Sequence, residues 1–252
     1  MHGATSVLAQ IDLGGGAGGG GKNAGDGGNA VQLLILVAGI TLIPALLFCV
    51  TGFTRILIVL GFIRSGLGTP TSPPNQVLVG IALFLTLFVM APTFNAVKKD
   101  AIDPMQKGQI TQAQAFKRGQ EPLREFMFKQ TRDSDLALFV RLSKTREQPR
   151  THADIRTTVL IPAFIVSELK TAFQIGFLIF LPFLVIDLIV ASTLMSMGMI
   201  MLPPVFISLP FKILLFVLVD GWNLVTRSLV ESFHVRARIR SSASASPRWS
   251  WP

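Results

Sequence analysis

In the first hundred residues, two stretches carry no charge over a length that can cross a lipid bilayer. Ala30 to Thr54 contains Leu33-Leu34-Ile35-Leu36-Val37 and Ile43-Pro44-Ala45-Leu46-Leu47-Phe48, and Val77 to Val97 is a second uncharged run of 21 residues. A helix needs about 20 residues, at about 1.5 Å each, to span the hydrocarbon layer. From Thr157 the chain is apolar again nearly to Phe233, with Glu168, Lys170, Asp187, Lys212, Asp220 and Arg227 set at intervals along it. Gly198 to Pro204 divides this last part into two long arms, because Pro203-Pro204 cannot continue a helix. The expectation is an all-α, membrane-type protein with about four long hydrophobic helices in hairpins and a small helical polar insert.

Composition agrees and removes other classes. Only 15% of residues are charged, against about a quarter in soluble domains, and the mean hydropathy is +0.55. The net charge of +9 does not gather into one basic stripe, which argues against nucleic acid as a partner. The single cysteine, Cys49, rules out an intramolecular disulfide. His2, His152 and His234 lie far apart, so no cluster has metal-ligand spacing, and neither a metal nor another cofactor is expected. No G-x-S-x-G or H-E-x-x-H motif is present, and no base stands beside a nucleophile, so an enzyme is not expected. Tyrosine is absent, which leaves at most a thin aromatic belt at the lipid boundary.

Five segments follow from these patterns. Residues 1–29 are a flexible Gly-rich segment, with seven glycines between Gly14 and Gly21. Gly16 to Asn23 falls one hydroxyl short of a phosphate-binding loop and has no strand before it. Ser6-Val7-Leu8-Ala9-Gln10 looks like the end of a signal peptide without its charged and apolar parts. Residues 30–97 read as a first helical hairpin, with Arg55 and Arg64 in a polar, turn-rich loop containing Gly66, Gly68, Pro70, Pro73 and Pro74. Residues 98–156 hold 13 Lys/Arg and eight Asp/Glu, with amphipathic stretches around Leu123, Phe126 and Met127 and from Asp135 to Leu142. This polar insert reads as two or three helices outside the lipid. Residues 157–233 form the second hairpin, and 234–252 a basic, serine-rich tail expected to be disordered.

Charges within apolar helices cost a few kcal/mol each and need partners or water. Glu168 and Lys170 are two residues apart, so each must find a partner on another helix or subunit. A turn centred near residue 200 sets Asp187 level with Lys212, whereas a turn near Pro204 sets it nearer Asp220. These charges could serve as structural ion pairs, an ion relay or assembly contacts. At the hairpin tip, Met195, Met197, Met199 and Met201 alternate, and Met199, Ile200 and Met201 lie on the turn between the arms. Apolar filling of a turn is the plain explanation; an adaptable pore seal is the functional one.

Particular blocks of sequence resemble a known family. Phe53-Thr54-Arg55-Ile56-Leu57-Ile58-Val59-Leu60, Gly68-Thr69-Pro70, Ser72-Pro73-Pro74-Asn75-Gln76-Val77, Pro162-Ala163-Phe164-Ile165-Val166-Ser167-Glu168-Leu169-Lys170-Thr171-Ala172-Phe173, Leu209-Pro210-Phe211-Lys212 and Val219-Asp220-Gly221-Trp222 look like the FliP family of flagellar type III export proteins. The resemblance covers about residues 30–233. It implies a core subunit of the export gate in the bacterial inner membrane, at the flagellar basal body. It also implies a homo-oligomer of five copies with FliQ-like and FliR-like subunits, beside FlhB-like and FlhA-like components, passing unfolded flagellar substrates. In the family the insert is periplasmic, whereas the positive-inside rule, with most Lys/Arg in the insert and the tail, makes that side cytoplasmic; the apolar helices of the family largely line an assembly raised out of the bilayer core. The family tip has consecutive methionines, whereas Ile200 interrupts them here. The basic tail also departs from the family. The competing function from another class is a small-solute or ion transporter using the buried charges; an internal inverted repeat would favour it, and the two halves show none.

Overall fold

The computed structural model describes residues 34, 37–38, 41, 48–69, 71–143, 151, 154–199 and 201–243, with side chains through His234. Residues 1–43 are one unit, described at four helical positions; residues 44–252 are the second, and the architecture below is its own. Most of the first apolar run, and with it the expected first span, lies outside the described residues, as does all of 1–29.

The elements are α1 (Phe53–Leu67), α2 (Asn75–Val97), a π-helical turn (Lys98–Ile102) leading into α3 (Asp103–Gln106), α4 (Gln112–Gln130), α5 (Asp133–Leu142), α6 (Thr157–Ser196), α7 (Pro204–Leu218) and α8 (Gly221–Ala243). No strand occurs among the described residues, so the all-α expectation stands. By length and composition two helical stretches can cross a membrane, Asn75–Gln106 and Thr157–Ser196; a bent pair, Pro204–Leu218 with Gly221–His234, makes a third.

Three elements differ from expectation. First, the polar loop around Arg55 and Arg64 is in fact α1. Between its two arginines the sequence is nearly continuous aliphatic residue, and Ile56, Val59, Leu60 and Ile63 fill the core at helical spacing. Gly68, at φ 75, closes the helix by donating its N–H to the Ser65 carbonyl at 3.1 Å. Second, the return arm of the last hairpin is not one helix. It breaks at Asp220, at φ 50, and bends by 64° into α8. Aspartate tolerates that left-handed conformation better than a bulky residue does. The next residue must be small, because a Cβ on Gly221 would meet the Phe216 ring at 2.3 Å. Third, the tail is not wholly irregular: α8 runs on through the first ten residues of the 234–252 segment, to Ala243.

The polar insert is not a separate body. Thr111 and Gln114 cap α4 reciprocally: Gln114 N–H donates to Thr111 Oγ1 at 3.4 Å, and Thr111 N–H to Gln114 Oε1 at 3.0 Å. Phe126, Met127 and Leu136 then join the same core as α1 and α6, with Leu123 and Phe139 packed against it. The helices α1 and α6 approach through notches. A Cβ on Gly176 of α6 would lie 2.4 Å from the Phe62 ring of α1, and one on Gly66 of α1 would lie 2.6 Å from the Phe183 ring of α6.

Gly176→Ala is therefore expected to lower the thermal unfolding midpoint in detergent. Overpacking costs about 1–3 kcal/mol and outweighs the gain of about 1 kcal/mol in helix propensity. Gly80→Ala, where a Cβ meets nothing within 4 Å, should hold or raise that midpoint. Equal shifts for the two variants would show that the notches do not set the helix separation.

Candidate assembly and gate site

The charges set in apolar sequence form three polar clusters, each between helices. In the deepest, Arg55 of α1 is fully buried. Its Nε donates to Glu168 Oε2 at 2.9 Å, and its Nη2 pairs with Glu168 Oε1. Nη2 also donates to Gln130 Oε1 at 3.0 Å, and Nη1 to Ser232 Oγ at 3.0 Å. The Phe233 ring lies 3.9 Å from the guanidinium carbon, within cation–π range, while the Phe233 carbonyl accepts from Gln130 Nε2 at 3.0 Å. One side chain thus joins α1, the end of α4, α6 and α8.

The second cluster joins α5 to α6. Asp135 is buried, accepts from Ser167 Oγ at 2.8 Å and pairs with Lys170 Nζ. The Arg132 N–H donates to the same Ser167 oxygen at 3.0 Å. Lys170 itself is half exposed at 50%, so it is a boundary charge and not the buried one expected. Its stem lies along apolar surface while the ammonium reaches water as well as Asp135.

The third cluster holds the last hairpin. Lys212 Nζ lies 2.6 Å from Asp187 Oδ2, and Ser208 Oγ donates to Asp187 Oδ1 at 2.5 Å. This is the arrangement of a turn centred near residue 200. The break runs from Met197 to Pro203, with Gly198 at φ 76 ending α6. Lys212 is buried and Asp187 is 33% exposed. Asp220 joins none of these clusters; it is exposed at the α7–α8 bend, so its inclusion among the buried charges is corrected. It occupies the left-handed position of that bend.

At the tip, Met195, Met197, Met199 and Met201 are all exposed, Met201 at 95%. Ile200 lies outside the described residues. Large apolar side chains flank the tip on both arms, among them Leu188, Ile189, Phe206 and Val217, all exposed. Only 11% of the most apolar 18-residue stretch of α6 is buried. Among the described residues, no group of three or more His, Cys, Asp or Glu could hold a metal ion.

Sequence reasoning missed Arg55 and Asp135 as partners. A signal existed for each. Arg55 stands alone among apolar residues of helical period, a position tolerable only if its charge is met. Asp135 opens an amphipathic stretch on its apolar side, one residue before the buried Leu136.

With this geometry in hand, the comparisons are specific. The FliP family profile matches residues 36–229. The chain is 56% identical over 205 residues to the flagellar biosynthetic protein FliP of Bacillus subtilis, covering 81% of this chain and 92% of the relative. It is 57% identical over 205 residues to that of Pectobacterium carotovorum, covering 81% and 79%. With that of Caulobacter vibrioides identity is 54% over 213 residues, covering 84% and 80%. All three clusters except Ser232 and Phe233 lie inside the matched span.

The Arg55–Glu168 and Asp187–Lys212 pairs should respond differently to loss of one partner. Glu168→Ala leaves Arg55 fully buried beside Gln130 and Ser232, and is expected to cost about 3–5 kcal/mol. Lys212→Ala leaves Asp187 partly in water, so the loss should be smaller, and Lys212→Arg should retain most of the wild-type behaviour. Unfolding midpoints and yields of intact complex in mild detergent measure both. Equal losses for Glu168→Ala and Lys212→Ala would show that burial does not decide the cost.

Proposed function

The chain belongs to the FliP family, and on that footing we propose that it is a core subunit of the flagellar type III protein export gate. Its coarse placement is in a membrane, as a flagellar export component. The finer reading puts it in the bacterial inner membrane at the flagellar basal body, with the insert periplasmic. Five copies surround an axis with FliQ-like and FliR-like subunits, next to FlhB-like and FlhA-like components, and the channel passes unfolded flagellar proteins.

The observation that carries this reading is the contrast between satisfied charges and uncovered apolar arms. Arg55, Glu168 and Lys212 are buried and bonded within one chain, so they do not line a solute path. A transporter needs such groups facing a cavity. What the chain leaves open is apolar surface along the hairpin. That surface suits neighbouring subunits or lipid and offers nothing to a small polar solute.

The tip suits a seal. A conduit for unfolded protein must open widely and hold back ions when idle. Flexible thioether side chains close by van der Waals contact and part without breaking hydrogen bonds. Rotation-related copies would bring Met199, Ile200 and Met201 together around the axis. Met199 and Met201 are exposed and belong to none of the three polar clusters, so truncating them leaves those clusters untouched.

The mass of the purified complex in mild detergent tests the assembly. A high-order particle containing two other small membrane proteins is expected, and a monomer or dimer would favour the transporter. Alanine at 199, 200 and 201 together tests the seal. Assembly should persist while the ion conductance of the membrane rises and growth slows. Normal conductance in an assembled triple variant would move the seal elsewhere.

A further inference from the structure

The methionines of this chain divide by exposure in a way that the gate reading does not use. At the tip, Met195, Met197 and Met201 are exposed at 67%, 68% and 95%, and Met199 at 40%. Met90 and Met127 lie in the core at 0% and 2%, while Met105, on α3 in the polar insert, is exposed at 38%. The tip is also short of free hydrogen-bond donors. From Leu188 to Phe211 the chain carries no charge. The N–H groups of Met197, Gly198 and Met199 donate to the carbonyls of Thr193, Met195 and Leu194, at 3.1, 3.0 and 3.0 Å. They close the end of α6 on itself. The hydroxyls of Ser192 and Thr193 both donate to the Ile189 carbonyl, at 2.9 and 2.8 Å.

A thioether suits such surroundings, and its sulfoxide does not. Oxidation turns a flexible apolar side chain into a polar one and disrupts methionine-rich contacts. Hydrogen peroxide transfers one oxygen atom to the sulfur lone pair, its O–O bond breaks, and water leaves; sulfur gives up two electrons and the peroxide takes them. The new oxygen needs a hydrogen-bond donor, and the donors named above are occupied, so it draws water. We propose that Met195, Met197, Met199 and Met201 form a reversible oxidation site through which small peroxide oxidants act on the gate, with sulfoxide at the tip wetting the seal and letting ions through. The inference rests on the seal proposed above. The reverse step balances as well: two thiols reduce the sulfoxide to the thioether, forming a disulfide and releasing water. Peroxide must touch sulfur to react, so exposure sets the order of reaction, and the core methionines serve as the protected reference.

The test uses the complex purified in mild detergent. Brief treatment with hydrogen peroxide, followed by peptide mass mapping, should place oxygen on the tip methionines and Met105 before Met90 and Met127. The complex is then reconstituted into potassium-loaded vesicles, and the efflux of each protein with oxidant is divided by its own efflux without. The wild-type ratio should be about tenfold, because a polar group buried without a partner shifts a closed–open balance by about that factor. M105L should give the same ratio. M195L, M197L, M199L and M201L together keep apolar volume and leave nothing at the tip to oxidise, so the oxidant should not change the efflux of that variant. Methionine sulfoxide reductases for both epimers, supplied with dithiothreitol, should return the oxidised wild type to its starting efflux. A tip oxidised no sooner than Met90 and Met127 would overturn the proposal. So would an oxidised tip with unchanged efflux, or an equal rise in the four-leucine variant. If alanine at 199, 200 and 201 leaves efflux unchanged, the seal and this switch fall together. Leakage in the alanine variant beside a tight oxidised wild type sinks the switch alone.

Discussion

A buried guanidinium is the constraint on which the rest of the structure depends. Arg55 carries five N–H donors and cannot shed its charge, so every helix around it must supply an acceptor or an aromatic face. Glu168 supplies the counter-charge, Gln130 and Ser232 supply neutral oxygens, and Phe233 supplies its ring. Taking these charges out of water costs several kcal/mol per ion, and the cost is offset only when the full set is in place. Apolar helices can slide along one another with little loss, since one aliphatic contact replaces another. A two-pronged contact between Arg55 and Glu168 cannot slide by a residue without leaving a charge bare. The cluster thus fixes the register of α1 against α6. It also sets where α4 ends and where α8 returns.

The same logic explains why the polar insert does not stand apart. A short pair of amphipathic helices has little area to bury alone, and α4 and α5 contribute Phe126, Met127 and Leu136 to the common core instead. Asp135 then fastens α5 to α6 through Ser167 and Lys170. Along α6, Ser167 and Glu168 serve separate clusters from adjacent positions, so two elements distant in sequence are held by one turn of helix.

Much of this was legible in the sequence, and the limits have physical reasons. The long apolar helices, the break at Gly198–Pro204 and the need of Glu168 and Lys170 for partners on other elements follow from hydropathy, proline and spacing. The pairing of Asp187 with Lys212 was one of two outcomes, and only the position of the turn decided between them. Arg55 was misread because it was grouped with the glycines and prolines that follow Arg64; it stands instead in an apolar run of helical period, and its charge is met by a carboxylate 113 residues away. The break at Asp220 was hidden for the opposite reason. Val219-Asp220-Gly221 carries no proline, and the bend depends on a left-handed aspartate and on the Phe216 ring filling the space above Gly221.

Helix α6 shows how these contacts divide the molecule. Its 40 residues reach about 60 Å, roughly twice the hydrocarbon thickness of a bilayer. From Leu160 to Gly176 its buried positions recur every three or four residues, alternating apolar side chains with Ser167, Glu168 and Thr171. Beyond that, Phe183 is the one residue of α6 that is still buried, packed towards Phe216 at 6.3 Å. The arm past Phe183 is held to α7 by the Asp187–Lys212–Ser208 cluster and otherwise presents apolar side chains outward. The chain therefore spends its polar interactions on making one rigid half, and anchors the other half near its base. An arm anchored this way has its direction fixed at one end and its covering left to whatever surrounds it. In the proposed gate, that covering is the neighbouring subunits, and it would be they, rather than the chain itself, that set the position of the methionine-bearing tip.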